Sequence, residues 1–166
     1  RLIVERQETY RVSHDGDSIG EASILLYYQR VLPQFAHSGA CKGCFHGSYS
    51  RIFNMVSLTS PAMGSGAVFL DLPGLEGQRI GTYLFNEIVT WAQQWPDATV
   101  QGVRLEAGQS HGENKARRNW FYEQFGLVFD YSDPEHKSGR SQPMLVKNLI
   151  PVDAWKQNIR ERRMQD

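Results

Sequence analysis

Asn114-Lys-Ala-Arg-Arg-Asn-Trp-Phe-Tyr-Glu-Gln-Phe-Gly126-Leu127 is the stretch on which the fold turns. It reads as an amphipathic helix that stops at a glycine, with Tyr122 one turn before the stop. Trp120, Phe121 and Phe125 are expected to form an aromatic stripe along one helical face. Gly126 suits the position just past the helix, where a left-handed backbone costs glycine little. Upstream, Gly74-Leu-Glu-Gly77-Gln-Arg-Ile-Gly81-Thr-Tyr-Leu84 marks a second glycine-punctuated helix start.

Working outward, Gly81 to Trp95 is the strongest helix. Leu84, Phe85, Ile88, Val89, Trp91 and Ala92 recur with a 3.6-residue period, and Pro96 closes the segment. Thr9 to Ser13 and Ile19 to Tyr28 read as two strands around the turn His14 to Ser18. Leu32 to Ser48, with its proline and glycines, reads as a long loop. Arg51 to Thr59 reads as a strand. Ala67 to Leu72 reads as a buried strand ended by Pro73-Gly74. Val100 to Ala107 alternates, with Val103 and Leu105 on one face and Arg104 and Glu106 on the other. Leu127 to Tyr131 and Met144 to Leu149 read as closing strands, with a polar, mobile Asp133 to Gln142 between them. A short helix is expected near Asp153, with Val152, Trp155 and Ile159 facing inward. The order predicts an α/β or α+β sheet with flanking helices, and a strand–helix–strand unit with one parallel pair.

Composition bounds the function. The 166 residues suffice for a single domain over 1–166 with a sizeable core. With 18 basic and 18 acidic side chains, the chain offers no electrostatic case for nucleic acid or for an anionic membrane. Arg160, Arg162 and Arg163, and likewise Lys115, Arg117 and Arg118, read as solvated faces. No apolar run approaches the ~20 residues that cross a bilayer, and no signal-peptide pattern opens the chain, so a cytoplasmic protein is expected. His37-x-x-x-Cys41-Lys-Gly-Cys44-Phe-His46 gathers two cysteines and two histidines. The cluster admits tetrahedral zinc, a labile disulfide or plain free thiols, and no metal is assigned to it.

A buried strand running through a glycine turn into a helix exposes backbone N–H groups at a helix start, which is an anion site. The segment contains neither G-x-x-x-x-G-K-[ST] nor G-x-G-x-x-G, which excludes a nucleotide-hydrolysing P-loop and argues against a dinucleotide fold. The two glycine-punctuated helices together resemble the GNAT superfamily of acyl-CoA-dependent N-acyltransferases, over roughly residues 66 to 149. The family's [QR]-x-x-G-x-[GA] pattern falls on Glu76-Gly77-Gln78-Arg79-Ile80-Gly81, and its Y-x-x-x-G-[FL] on Tyr122-Glu-Gln-Phe-Gly126-Leu127. Glu76 and Arg79 depart from the pattern, and the family's pair of helices after the first strand has no counterpart here.

The resemblance implies a largely antiparallel central sheet with a splayed parallel pair. It implies acetyl-CoA as co-substrate, held at its pyrophosphate by the backbone of Gly77, Gln78, Arg79, Ile80, Gly81 and Thr82, with the Arg79 guanidinium as a further positive charge. Strand amides at Leu70, Asp71 and Leu72 are implied to polarise the thioester carbonyl. Tyr122 is implied as the acid that protonates the leaving thiolate, a task a phenol O–H suits. Glu106, Asp71, His111 and a water-mediated path are candidates for deprotonating the amine. The acceptor is expected to be a primary amine on a small molecule or a protein, and a homodimer is compatible with all of this. A non-catalytic module that keeps the fold and binds acyl-CoA or a protein is the competing expectation.

Overall fold

The computed structural model of the chain describes residues 1–31, 42–63, 72 and 74–164. The expected strand Ala67 to Leu72 lies outside these residues except for Leu72, and so do His37, Cys41, Leu70 and Asp71.

A five-stranded mixed sheet is built from β1 (Leu2–Val12), β2 (Ile19–Arg30), β3 (Lys42–Ser50), β4 (Met55–Ser57) and β5 (Thr99–Val100), in that spatial order. β1 to β4 pair antiparallel with their neighbours, and β4 and β5 are parallel. Between β4 and β5 the chain passes through α1 (Ile80–Ala92), so a parallel pair is present, formed with β4; the strand expected directly before the helix lies outside the described residues. β6 (Arg104–Leu105), β8 (Gly139–Ser141) and β7 (Phe129–Tyr131) form a second, antiparallel sheet in that order, and α2 (Asn114–Glu123) precedes β7. The class is α+β with a mixed sheet, as the element order predicts.

Alternation along β2 sends Ala22, Ile24, Leu26 and Tyr28 into the core. α1 lays Leu84, Phe85, Ile88 and Val89 on that face, all buried. Each such side chain contributes ~1.5–3 kcal/mol of burial. Glycine makes the close approach possible. A Cβ on Gly47 would stand 2.8 Å from Ile88 Cγ2, and one on Gly43 would stand 2.3 Å from the Tyr28 hydroxyl. α2 joins the same core through Phe85, whose ring meets Phe125 at 4.8 Å, Phe121 at 5.3 Å and Tyr122 at 5.8 Å.

Several expectations need correction. Lys42–Ser50 is a strand and not part of a loop; its glycines and serines hide the inward alternation of Phe45 and Tyr49. Arg51 to Asn54 is a turn, with Asn54 at φ 47°, which leaves Ile52 and Phe53 exposed. The strand expected over Val100 to Ala107 is divided between the two sheets. Met144 to Leu149 makes one bridge, Thr99 to Leu145, and then a 3-10 turn at Val146–Asn148. Asp133 to Gln142 is an ordered turn plus β8. The Asp133 carboxylate accepts from the amides of Ser138 and then Lys137, both at 2.9 Å, and these bonds lower its pKa. Trp120 leaves the expected aromatic stripe: it is 65% exposed, because it sits about 200° around the helix from Tyr122.

Candidate functional site

The turn that opens α1 is left-handed at three points: Gly74 at φ 80°, Gly77 at φ 76° and Arg79 at φ 61°. Local hydrogen bonds hold it, Leu75 N to Leu72 O at 3.0 Å and Gln78 N to Leu75 O at 3.3 Å. Arg79 is the N-cap and provides no side-chain cap. The first-turn amides of a helix have no acceptor within the helix, so those of Ile80, Gly81 and Thr82 are suited to an anion. Among the described residues nothing lies within 4 Å of where a Cβ on Gly74 or Gly77 would sit. Glu76 is exposed beside it.

The Arg79 guanidinium is engaged elsewhere. Nη1 donates to the Ala154 carbonyl at 2.6 Å and to Gln157 Oε1 at 2.9 Å. These belong to a 3-10 turn at Ala154–Gln157 in the C-terminal segment, the short helix expected near Asp153. Tyr83 donates to Glu161 at 2.7 Å, and Val152 N donates to Asn86 Oδ1 at 2.7 Å. Arg79, Tyr83 and Asn86 follow helical spacing, so the segment runs along one face of α1. Burial, followed by the bond to Glu161, raises the Tyr83 pKa. Trp155 lies edge-on to Tyr83 at 4.9 Å, and its buried Nε1 has no partner among the described residues.

β4 and β5 pair only at Met55 with Thr99 and Val56 with Val100, and Gln101 N then donates to Val56 O at 2.7 Å. Beyond this point the two chains part. Ser60 stays beside β3, its carbonyl accepting from Ser48 Oγ at 2.9 Å, while Arg104 and Leu105 enter the second sheet.

Tyr122 is only 1% exposed, enclosed by Phe85, Phe121 and Phe129. Gln124, next along the chain from α2, reaches Thr82 Oγ1 in the first turn of α1 at 3.3 Å. Arg118 ties α2 to its surroundings, donating to the carbonyls of Glu106 and Lys137, both at 2.8 Å. Burial lowers the Arg118 pKa, against the opposing pull of Tyr122, Tyr131 and Asp133. Lys115 donates to the Glu135 carbonyl at 2.7 Å, so two of the three α2 basic residues, all read as solvated, are docked on the 133–138 turn. Arg117 pairs with Glu113 on the helix surface.

Glu106 follows β6, with its carboxylate exposed and 3.5 Å from Arg104 Nε. The alternation read from the sequence is present, since Val103 and Leu105 are buried and Arg104 and Glu106 are not. His111 is exposed. Cys44 and His46 sit two apart on β3, Sγ to Nε2 3.3 Å. Among the described residues no group of three metal-ligating side chains forms.

The structure thus brings the α1 turn, Thr82 and α2 together and leaves Glu106 at the surface. Sequence reading misses Tyr83, Asn86 and Gln124, and no motif marks them. An open hollow of ≈ 420 Å³ lies away from this turn, lined by Thr9, Glu21, Ser23, Ser48 and Met63 among others. The turn at the start of α1 presents first-turn amides without a side-chain cap, whereas among the described residues no helix start lines the hollow.

No protein-family model matches the chain, and no curated protein matches it. Among solved structures it is similar to a domain from Methanocaldococcus jannaschii DSM 2661, at 10% identity and a TM-score of 0.40, over 77% of this chain and 70% of that one. A likeness at that level carries no functional argument. Among the described residues no helix is long and apolar enough to cross a membrane.

Proposed function

We propose that the protein is a GNAT-like N-acetyltransferase that moves an acetyl group from acetyl-CoA to a primary amine. One observation carries the reading. A left-handed glycine turn leads into the start of α1, which has no side-chain cap, in a fold that also holds a short parallel strand pair, β4 with β5. Such a start favours the two negative charges of a pyrophosphate, and the first-turn amides Ile80 to Thr82 would hold it. In this reading the amine nitrogen attacks the thioester carbonyl carbon, the C–S bond breaks, and the Tyr122 O–H gives its proton to the thiolate. The ammonium proton leaves to Glu106 or to water. Leu70, Asp71 and Leu72 remain the proposed carbonyl-polarising strand.

A second reading rests on the burial of Tyr122. A phenol enclosed by Phe85, Phe121 and Phe129 suits a core residue, and a fold that binds acyl-CoA or a protein without turnover would keep it there. Thiol release from acetyl-CoA across a panel of amines distinguishes the two. Amine-dependent release, cut at least ~100-fold in Tyr122→Phe as for loss of a general acid, supports the transferase. Acetyl-CoA binding without release from any amine supports the binding module.

A further inference from the structure

β1 ends the five-stranded sheet and has a strand neighbour on one side only among the described residues. Hydrogen-bonded and non-bonded pairs alternate along an antiparallel ladder. Val31 N donates to Arg1 O at 2.9 Å, and Ser13 N donates to Ser18 O at 2.8 Å. The odd-numbered residues of β1 therefore direct their backbone groups to β2. Leu2, Val4, Arg6, Glu8, Tyr10 and Val12 direct theirs outward. A long edge of this kind is a template for another strand.

We propose that this edge pairs antiparallel with the same edge of a second copy, about a two-fold axis at Gln7. The inference does not depend on the proposed activity. Outward-directed residues must meet outward-directed residues, so the axis falls on a residue and each alternative register moves it by one position. At Arg6 the axis sets Arg6 against Arg6, and at Glu8 it sets Glu8 against Glu8, which is unfavourable directly across a ladder. At Gln7 every even position finds a complement. Arg6 faces Glu8 of the second copy, Val4 faces Tyr10 and Leu2 faces Val12, and the reciprocal pairs repeat them. Gln7 is also the midpoint of Leu2–Val12, so this register gives full overlap. Tyr10 and Val12, 41% and 66% exposed, gain apolar partners. Within one protomer the Arg6 Nε pairs with Glu8 at 3.3 Å and its Nη1 with Glu87, and Nη2 is left to reach the facing carboxylate.

The 166-residue chain, run by sedimentation velocity over a concentration series, is expected to reach twice its monomer mass. Arg6→Glu sets carboxylate against carboxylate across the axis, and Glu8→Arg sets guanidinium against guanidinium. Each variant alone is therefore expected to lose the dimer. Mixed in equal amounts, the two variants are expected to dimerise again as a heterodimer, since each facing pair is then of opposite charge. Lost folding or a purely intrachain role would not be rescued by mixing. A wild-type chain that stays monomeric throughout overturns the proposal. So do single variants that dimerise like the wild type, and a mixture that stays monomeric.

Discussion

Arg79 opens α1 in a left-handed conformation, and its guanidinium donates to the Ala154 carbonyl at 2.6 Å. One residue therefore shapes the glycine turn and anchors the C-terminal segment. Left-handed backbone costs a residue with a Cβ ~1 kcal/mol or more relative to glycine. Arg79→Ala loses the anchor and keeps that cost, whereas Arg79→Gly loses the anchor and relieves it. The alanine variant is expected to be less stable than the glycine variant by ~1 kcal/mol in urea denaturation, with both opening the C-terminal segment to faster proteolysis.

Gly47 is where α1 rests on the sheet. An added Cβ would meet Ile88 Cγ2 at 2.8 Å, Ile24 Cγ2 at 3.0 Å and the Ser57 carbonyl at 3.3 Å. Gly47→Ala is expected to destabilise by ~1–3 kcal/mol through overpacking. Removing the facing methyl in Gly47→Ala/Ile88→Ala is expected to cost less than the sum of the two single changes, as a double-mutant cycle would measure.

The same position explains what is legible in the sequence. α1 is plain because Leu84, Phe85, Ile88 and Val89 are all buried on one stripe. β3 is not, because Gly43 and Gly47 look like loop residues yet are the flat places under Tyr28 and Ile88. β1 reads short for a different reason. As an edge strand it runs through polar and charged residues from Glu5 to Glu8, so period-2 hydrophobicity gives no signal there. At the candidate site the turn glycines are legible from their types. The grip of Ala154, Gln157 and Glu161 on α1 is not, because it joins residues more than seventy positions apart.

Acid should act on the hairpin between β1 and β2. Hydrogen bonding from Ser13, then from Arg51 at 2.9 Å, holds the Asp15 pKa down to about 2. A folded value below the unfolded one stabilises the fold above the unfolded pKa near ~4, and that contribution is lost as pH falls toward about 2. The Asp15 carboxyl carbon is expected to titrate near a pH of about 2 by NMR. Asp15→Asn should flatten the fall in stability between pH ~4 and ~2.

Tyr131 predicts an effect at the alkaline end. Burial, then its 2.8 Å bond to Glu123, pushes its phenol up to about 12. A raised folded value means that stability is full below the unfolded pKa near ~10 and declines as pH rises toward about 12. Phenolate absorbance should show one tyrosine titrating near a pH of about 12 that is lost in Tyr131→Phe.

The central claim is that the turn into α1 holds an acyl-CoA, and the melting temperature with and without acetyl-CoA tests it most directly. At a hundredfold excess over the dissociation constant, binding to the folded state contributes ~2.7 kcal/mol, or about 5–10 °C for a chain of this length. The account predicts that rise with acetyl-CoA, a similar one with CoA, and none with acetate. An unchanged melting temperature with every acyl-CoA at saturating concentration would contradict both the transferase and the acyl-CoA-binding readings.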